Sequence, residues 1–267
     1  MAPPKNSFPR AEMAQMGASS VQRTRWNGLD AIVKTSPGAV ELAFYQHTAP
    51  LLRAAGIQIP ELLSAELDQL VIEWIPHPVA LDEFHSCDIG LAQIAKLHRT
   101  DIPSPIPLKR HGWSQEQTDQ TLALLSLPER SSELLRQCQV RSHTLFDTEQ
   151  IISGDTNSGN WGKRTNGDWV LFDWERFGHG NIAIDLAPLI PGMGEISAYS
   201  TLAQRYTCFN ADMDASTLAR HILLSKAWLV TEVVTLLHQR RNPILNKYVT
   251  WYNQTLPDWF ERIAGHL

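Results

Sequence analysis

The chain has 267 residues, of which 43% are hydrophobic, enough to bury a substantial core in one large domain or two lobes. Its net charge of −5 argues against a dedicated nucleic-acid binder, and its three cysteines (Cys87, Cys138, Cys208) form no metal-binding spacing, so buried free thiols are expected. No apolar run approaches the ~20 residues needed to span a bilayer, and the first ten residues hold no apolar signal region, so a soluble, cytoplasmic protein with no membrane partner is expected.

The first ten residues carry three prolines and read as a flexible arm. Ser20–Trp26 and Leu29–Lys34 then flank Asn27-Gly28, a dipeptide that favours a two-residue hairpin because a type I′ turn needs positive φ at both central positions. Ser36 and Pro37 suit the N-cap and first position of a helix. That helix is predicted over Ala39–Ala55, with Glu41 in its first turn, Pro50 as a point of kinking or early termination, and Gly56 at its end. Leu70-Val-Ile-Glu-Trp-Ile-Pro76 reads as an apolar strand running into proline. Helices are predicted over Ile89–His98, Gln115–Leu127 and Ser131–Leu145, with a proline-rich loop at Asp101–Pro107 after the first of them. A short strand at Gln150–Ile152 leads into the most informative segment. Beyond Ala187 the pattern is mainly helical, notably at Ala215–Arg240 and Pro243–Ala264.

In residues 153–173, Asp155 and Asn160 stand in a D-x-x-x-x-N arrangement. Asn166-Gly167, between the strand-like runs Asn160–Arg164 and Asp168–Asp173, signals a second hairpin. Such a hairpin returns Asp173 close to Asn160 and gathers a candidate proton acceptor with two oxygen ligands suited to Mg²⁺. Singly, each residue has an ordinary explanation. Asp155 and Asn157 can form Asx-turns, and Asp173 can be a strand-end carboxylate facing solvent.

Three ordered elements carry a resemblance. Ser153–Asn160 is similar to H-G-D-x-x-x-x-N, Phe172-Asp173-Trp174-Glu175 to I-D-W-E, and Ile184-Asp185-Leu186-Ala187 to x-D-L-A. These are motifs of the small-molecule kinases of protein-kinase-like fold, a group including aminoglycoside phosphotransferases and choline kinases. The resemblance implies an α+β, bilobal fold, with a small sheet-containing N-lobe over residues 1–75 and a larger, mostly helical C-lobe over residues 76–267. It makes Asp155 the catalytic base, gives Asn160 and Asp173 to Mg²⁺, and gives Asp185 a bracing role for the loop that holds Asp155. Ala-Ile-Val-Lys34 resembles the V-A-I-K strand, so Lys34, held by Glu41, would anchor the phosphates of ATP. Backbone groups around Glu73–Ile75 would meet the adenine edge; Leu70–Pro76 fits an ordinary buried strand equally well.

This chain departs from the pattern at Ser153, where the family has His, and in its poor glycine loop, where only Gly17 precedes the first strand and amides near Ser19 and Ser20 are the candidates for phosphate contact. The implied activity is transfer of the ATP γ-phosphoryl group to a hydroxyl of a small metabolite or antibiotic. The alternative is a catalytically impaired pseudokinase acting as a nucleotide-binding or scaffold protein. From Pro188 onward six acids face seven Lys or Arg, without the acidic excess expected for a polycationic aminoglycoside. Trp228, Trp251, Tyr252 and Trp259 are readable either as core or as an aromatic box for a quaternary ammonium.

Overall fold

The computed structural model describes residues 20–102 and 106–267. The expected N-terminal arm, Gly17 and Ser19 lie outside these residues, as do residues 103–105 of the proline-rich loop. The chain forms two compact units: one from the chain up to Arg110 together with Gln150–His179, the other from His111–Glu149 with Gly180–Leu267.

In the first unit, β1 (Ser20–Trp26) and β2 (Leu29–Thr35) pair antiparallel with Trp26 opposite Leu29. Asn27 at φ 49° and Gly28 at φ 85° supply the two positive dihedrals of the expected turn. Ser36 does not cap a helix. It takes φ 55° and donates its amide to Asp68 O at 2.8 Å; the helix starts at Ala39 as predicted, with Gly38 rather than Ser36 at its N-cap. The helix is a composite of α1 (Ala39–Ala43), a π-turn over Phe44–Thr48, and α2 (Ala49–Ala54). Pro50 has no N–H to donate, and its ring would strike the carbonyl one turn back. Widening the preceding turn relieves both problems without ending the helix. Gly56 at φ 83° closes it: Ile57 N reaches Leu52 O at 3.0 Å and Gly56 N reaches Arg53 O at 2.8 Å, the paired bonds of a Schellman stop.

Strands β3 (Leu62–Glu66) and β4 (Gln69–Glu73) complete an antiparallel sheet of order β1-β2-β4-β3. Then come β5 (His77–Pro78), α3 (Leu81–Ser86), α4 (Ile89–His98) and β6 (Lys109–Arg110). After Gln150 the chain adds β7 (Ile151–Ile152), β8 (Trp161–Lys163), β9 (Trp169–Leu171) and β10 (Gly178–His179). They build two small sheets, β5-β8-β9 and β6-β10-β7. Pairing of β5 with β8, and a bond from Leu171 N to Gln58 O at 3.1 Å, knit residues 150–179 to the chain before them. The lobe boundary expected after Ile75 therefore falls inside this unit.

The second unit is helical: α5 (Gln115–Leu124), α6 (Glu129–Arg141), α7 (Ala183–Leu186), α8 (Ile196–Thr207), α9 (Ala215–Gln239) and α10 (Leu245–Ile263). The 25-residue α9 is its axis and touches each of the other five. Leu218, Ile222, Trp228, Val234 and Leu237 are buried on it, so it is surrounded rather than resting on one face. Lys226 is buried too. Its ammonium donates to Ala187 O at 2.9 Å and Ile190 O at 2.7 Å, carbonyls at the start and just past the end of the turn that follows α7, while burial pushes its pKa down to about 7.

Of the four aromatics open to a core or an aromatic-box reading, three lie in the core and Trp251 is half-buried. Trp228, Tyr252 and Trp259 are buried, Trp228 Nε1 donates to Gly112 O at 3.0 Å, and Trp259 Nε1 donates to Tyr199 Oη at 3.2 Å. Of the thiols only Cys138 is buried; Cys208 is exposed, against expectation. Among the described residues no helix is long and apolar enough to cross a membrane.

Candidate active site

The β8–β9 hairpin pairs Trp161 with Leu171, Gly162 with Val170 and Lys163 with Trp169. Arg164 N donates to Asp168 O and Gly167 N to Arg164 O, both at 2.9 Å, leaving a three-residue loop with only Gly167, at φ 92°, in the left-handed region. The expected hairpin is present, but its turn is the three-residue kind that ends on a left-handed glycine, not the two-residue kind. At the open end Phe172 N donates to Asn160 O at 2.9 Å. That bond puts Asn160, just before β8, beside Asp173, just after β9. Asn160 is buried and spends its amide nitrogen on Asp155 O at 3.0 Å. Asp173 sits at φ 67°, a left-handed conformation uncommon for a non-glycine residue.

Asp155 follows Gly154, whose φ of 79° turns the chain out of β7. Its Oδ1 accepts from Asn157 Nδ2 at 2.6 Å and from Asn157 N at 3.4 Å, while Asn157 Oδ1 accepts from Gly159 N at 2.8 Å. The Asx-turn chemistry read as an alternative to function is therefore present and holds the half-buried Asp155 in place. Burial raises the Asp155 carboxyl above its ordinary value, against the pull of the Arg176 guanidinium and the Asn157 amide. Arg176 is anchored nearby, donating Nε to Gly154 O at 3.0 Å. Ser153 is fully buried.

Lys34 closes the cluster. Its Nζ lies 2.6 Å from Glu41 Oε1 and 2.9 Å from Asp173 Oδ1. Burial would lower the pKa of this ammonium, but Asp173 and Glu41 outweigh it and hold the charge on. Burial pushes the Glu41 carboxyl up, opposed by Lys34. An aromatic contact fixes the same groups from behind. Phe44, three residues after Glu41, stacks on Trp174 at 4.2 Å and 12°, and Trp174 adjoins Asp173. Phe177 packs edge-on against both rings.

Five of the residues singled out in the sequence are thus brought together: Lys34, Glu41, Asp155, Asn160 and Asp173. Glu73 and Ile75 end β4 and follow it. The Glu73 side chain is held by Arg164 at 2.7 Å and its amide donates to Glu61 O at 2.8 Å, while Ile75 is buried. Asp185 is buried on α7 in the helical unit. Sequence reasoning passed over Arg164, taken only as the end of a strand, and Arg176, which belongs to no motif. Asn160, before β8, and Asp173, after β9, offer an amide and a carboxylate oxygen side by side at the ends of paired strands. Among the described residues no three His, Cys, Asp or Glu gather into a metal cage. This donor set suits a hard cation such as Mg²⁺, which keeps waters and phosphate oxygens in its shell.

Solved structures share the fold that carries these residues. The gentamicin complex of APH(2")-IIa is similar over 97% of this chain and 99% of its own, at 15% identity and TM-score 0.61. Spectinomycin phosphotransferase APH(9)-Ia, with ADP and spectinomycin, is similar over 93% and 90%, at 13% identity and TM-score 0.63. A choline/ethanolamine kinase family protein from Mesorhizobium loti is similar over 96% and 98%, at 13% identity and TM-score 0.60. No curated protein sequence matches the chain significantly. The chain has the protein-kinase-like fold of these neighbours, an antiparallel sheet near the N-terminus and a mostly helical C-terminal region. Its residues 14–215 match the profile of the phosphotransferase enzymes, and the chain belongs to that phosphotransferase enzyme family.

Proposed function

We propose that the protein transfers the γ-phosphoryl group of ATP, with Mg²⁺, to a hydroxyl of a small molecule. The observation that carries this reading is the convergence of Lys34 on Asp173 at 2.9 Å, with Asp173 placed beside Asn160 by the strand end that also holds Asp155. The ADP and antibiotic complexes among the structural neighbours support a nucleotide donor and a small acceptor. Lys34, kept charged by two carboxylates, is suited to hold phosphate oxygens. Asp155 has one oxygen engaged by Asn157, and the carboxylate orients the acceptor hydroxyl and takes its proton. Asn160 and Asp173 would hold Mg²⁺, which when bound neutralises charge on the phosphates. The protein contributes position and electrostatics rather than covalent chemistry.

The test is Mg²⁺-dependent ATP consumption by purified protein over a panel of choline, thiamine, homoserine, fructosamines and antibiotics. One acceptor should stimulate turnover, and Asp155→Ala should lower it by about a hundredfold or more, the scale of a lost general base, while nucleotide binding survives. Because burial raises the Asp155 carboxyl, kcat/KM should climb with pH along a limb lying above the ordinary carboxylate range. Unchanged turnover in Asp155→Ala would remove that residue from the reaction, and a protein that binds no nucleotide would sink the reading.

A further inference from the structure

At its far end the hairpin bearing Asn160 and Asp173 is held by the Arg164 guanidinium, beside a Lys163–Glu83 pair at 2.7 Å that ties β8 to α3. Arg164 sends Nε to Glu73 Oε1 at 2.7 Å and Nη2 to Glu73 Oε2 at 2.8 Å, a fork-on-carboxylate pair. Its Nη1 reaches Gln58 Oε1 at 2.7 Å, and Nη2 also reaches Ile59 O at 3.1 Å. One side chain therefore joins the end of β4, the connector after α2, and the hairpin loop. The connector is itself bonded to β9, through Leu171 N on Gln58 O at 3.1 Å. Gln93 on α4 repeats the link: it accepts from Gln58 N at 3.0 Å and donates to Trp169 O at 2.7 Å. Glu73 Oε2 takes a further bond from Glu61 N at 3.1 Å.

This network is mostly side chain to side chain and side chain to backbone, and it is partly buried, with 19% and 24% of the Arg164 and Glu73 side chains exposed. Such charge-assisted bonds are stronger than exposed surface pairs and impose direction. Arg164 stands four residues from Asn160 along an extended strand, roughly 13 Å at the usual strand rise. It cannot touch a metal or phosphate held by Asn160 and Asp173, so whatever it does there it does through β8 and β9.

We infer that Arg164, clamped on Glu73, is a positioning residue that sets the spacing of Asn160 and Asp173 and thereby the affinity for metal-bound nucleotide. The inference rests on the assignment of those two residues as Mg²⁺ ligands. Lys34, on β2, is held by Glu41 at 2.6 Å as well as by Asp173 at 2.9 Å, so its hold on phosphate depends less on Arg164 than the spacing of Asn160 and Asp173 does. The two contributions should separate in a measurement that varies the metal.

The 267-residue protein is compared with Arg164→Met and Arg164→Lys by calorimetry of ATP binding across a Mg²⁺ series. Arg164→Met should raise the Mg²⁺ concentration for half-saturation about tenfold, the lower end of what losing an outer-shell partner costs a metal site. Its affinity for ATP without metal should fall by much less than that. Arg164→Lys, which keeps the charge without the fork, should fall between. In the nucleotide-free protein, amide exchange over Trp161–Lys163 and Trp169–Leu171 should quicken. A uniform loss with and without metal would mark Arg164 as merely structural and overturn the inference, as would a wild-type Mg²⁺ requirement in Arg164→Met. If Arg164→Met does not fold, Arg164→Lys, the milder change, carries the same two outcomes. Wild-type protein that binds ATP identically with and without Mg²⁺ would overturn the ligand assignment itself, and with it this inference.

Discussion

Two hairpins in this chain turn on the same dipeptide and come out differently. At Asn27-Gly28 the loop has two residues, both at positive φ, and Trp26 faces Leu29. At Asn166-Gly167 only the glycine is at positive φ, and the loop has three residues. A two-residue loop there would pair Thr165 with Asp168 and slip every pair by one. That slip is forbidden from the other side of β8. A Cβ on Gly162 would lie 2.6 Å from Ile75 Cγ2 and 3.1 Å from His77 O, so Gly162 is the residue that must stand opposite β5. Trp161, Trp169, Val170 and Leu171 are buried as well, and one-residue slippage turns a strand's side chains to the opposite face. β1, by contrast, is exposed along nearly its whole length. Turn chemistry dictates register where nothing else does, and packing overrules it where a face is buried.

The two hairpins meet functionally in one ion pair, since β2 supplies Lys34 and the segment after β9 supplies Asp173. The largest effect expected from breaking the comparison lies here, and it is asymmetric. Lys34→Met leaves Glu41, 1% exposed, without its cation, and should cost about 3 kcal/mol, as breaking a buried pair does. Burial then raises the Glu41 carboxyl further above its unfolded value. The folded state holds the extra proton, so the loss should be smallest in acid and should grow as pH rises past the ordinary glutamate range. Asp173→Asn leaves Lys34 with Glu41 and alters a side chain already 32% exposed, so stability should move by less than about 1 kcal/mol while Mg²⁺-dependent binding is lost. Urea titrations of both variants across pH decide the matter; a pH-independent loss in Lys34→Met would mean that Glu41 is not the group left stranded.

What the sequence disclosed follows the same division. β1, β2 and their turn are local, and strand boundaries read from Asn27-Gly28 came within one residue of Ser20–Trp26 and Leu29–Thr35. Helix α4 was legible to the residue because its apolar period is uninterrupted. The π-turn at Phe44–Thr48 was not, since it arises from how a long helix accommodates Pro50 rather than from any turn signal. Lys34, Glu41, Asp155, Asn160 and Asp173, singled out by motif resemblance, lie close together in the structure. Arg164 and Arg176 were missed because their partners, Glu73 and Gly154, lie 91 and 22 residues away, where no local pattern reaches. The pairing of β5 with a strand more than eighty positions later was equally beyond any local pattern.

Equal strain at the two turns should have unequal consequences. Gly28 and Gly167 sit at φ 85° and 92°, and a Cβ at either would meet nothing within 4 Å, so alanine costs backbone strain alone. Each substitution should lower stability by about 1–2 kcal/mol. Gly28→Ala should also speed amide exchange along β1 and β2, because that turn sets their register. Gly167→Ala should leave exchange at β8 and β9 and the Mg²⁺ requirement unchanged, because Gly162, the buried tryptophans and Arg164 hold the register. Faster exchange at β8 and β9 in Gly167→Ala would show the second turn to be as decisive as the first.

The smallest effect separates what the two asparagines do. Asn27 is needed for its backbone, at φ 49°, and aspartate shares that tolerance. Asn166 acts through its side chain, which accepts from Asp168 N at 3.1 Å and donates Nδ2 to Asp168 Oδ2 at 2.9 Å. Asn27→Asp should therefore be nearly silent in thermal melts. Asn166→Asp removes the donor and sets one carboxylate against another, a loss well under about 1 kcal/mol at so exposed a site. Adding Asp168→Asn restores a donor facing an acceptor and should recover that loss, whereas the same second change in the Asn27→Asp background should recover nothing. Recovery in both backgrounds would mean that Asp168 is unfavourable in its own right, and that the Asn166 side chain contributes nothing to the turn.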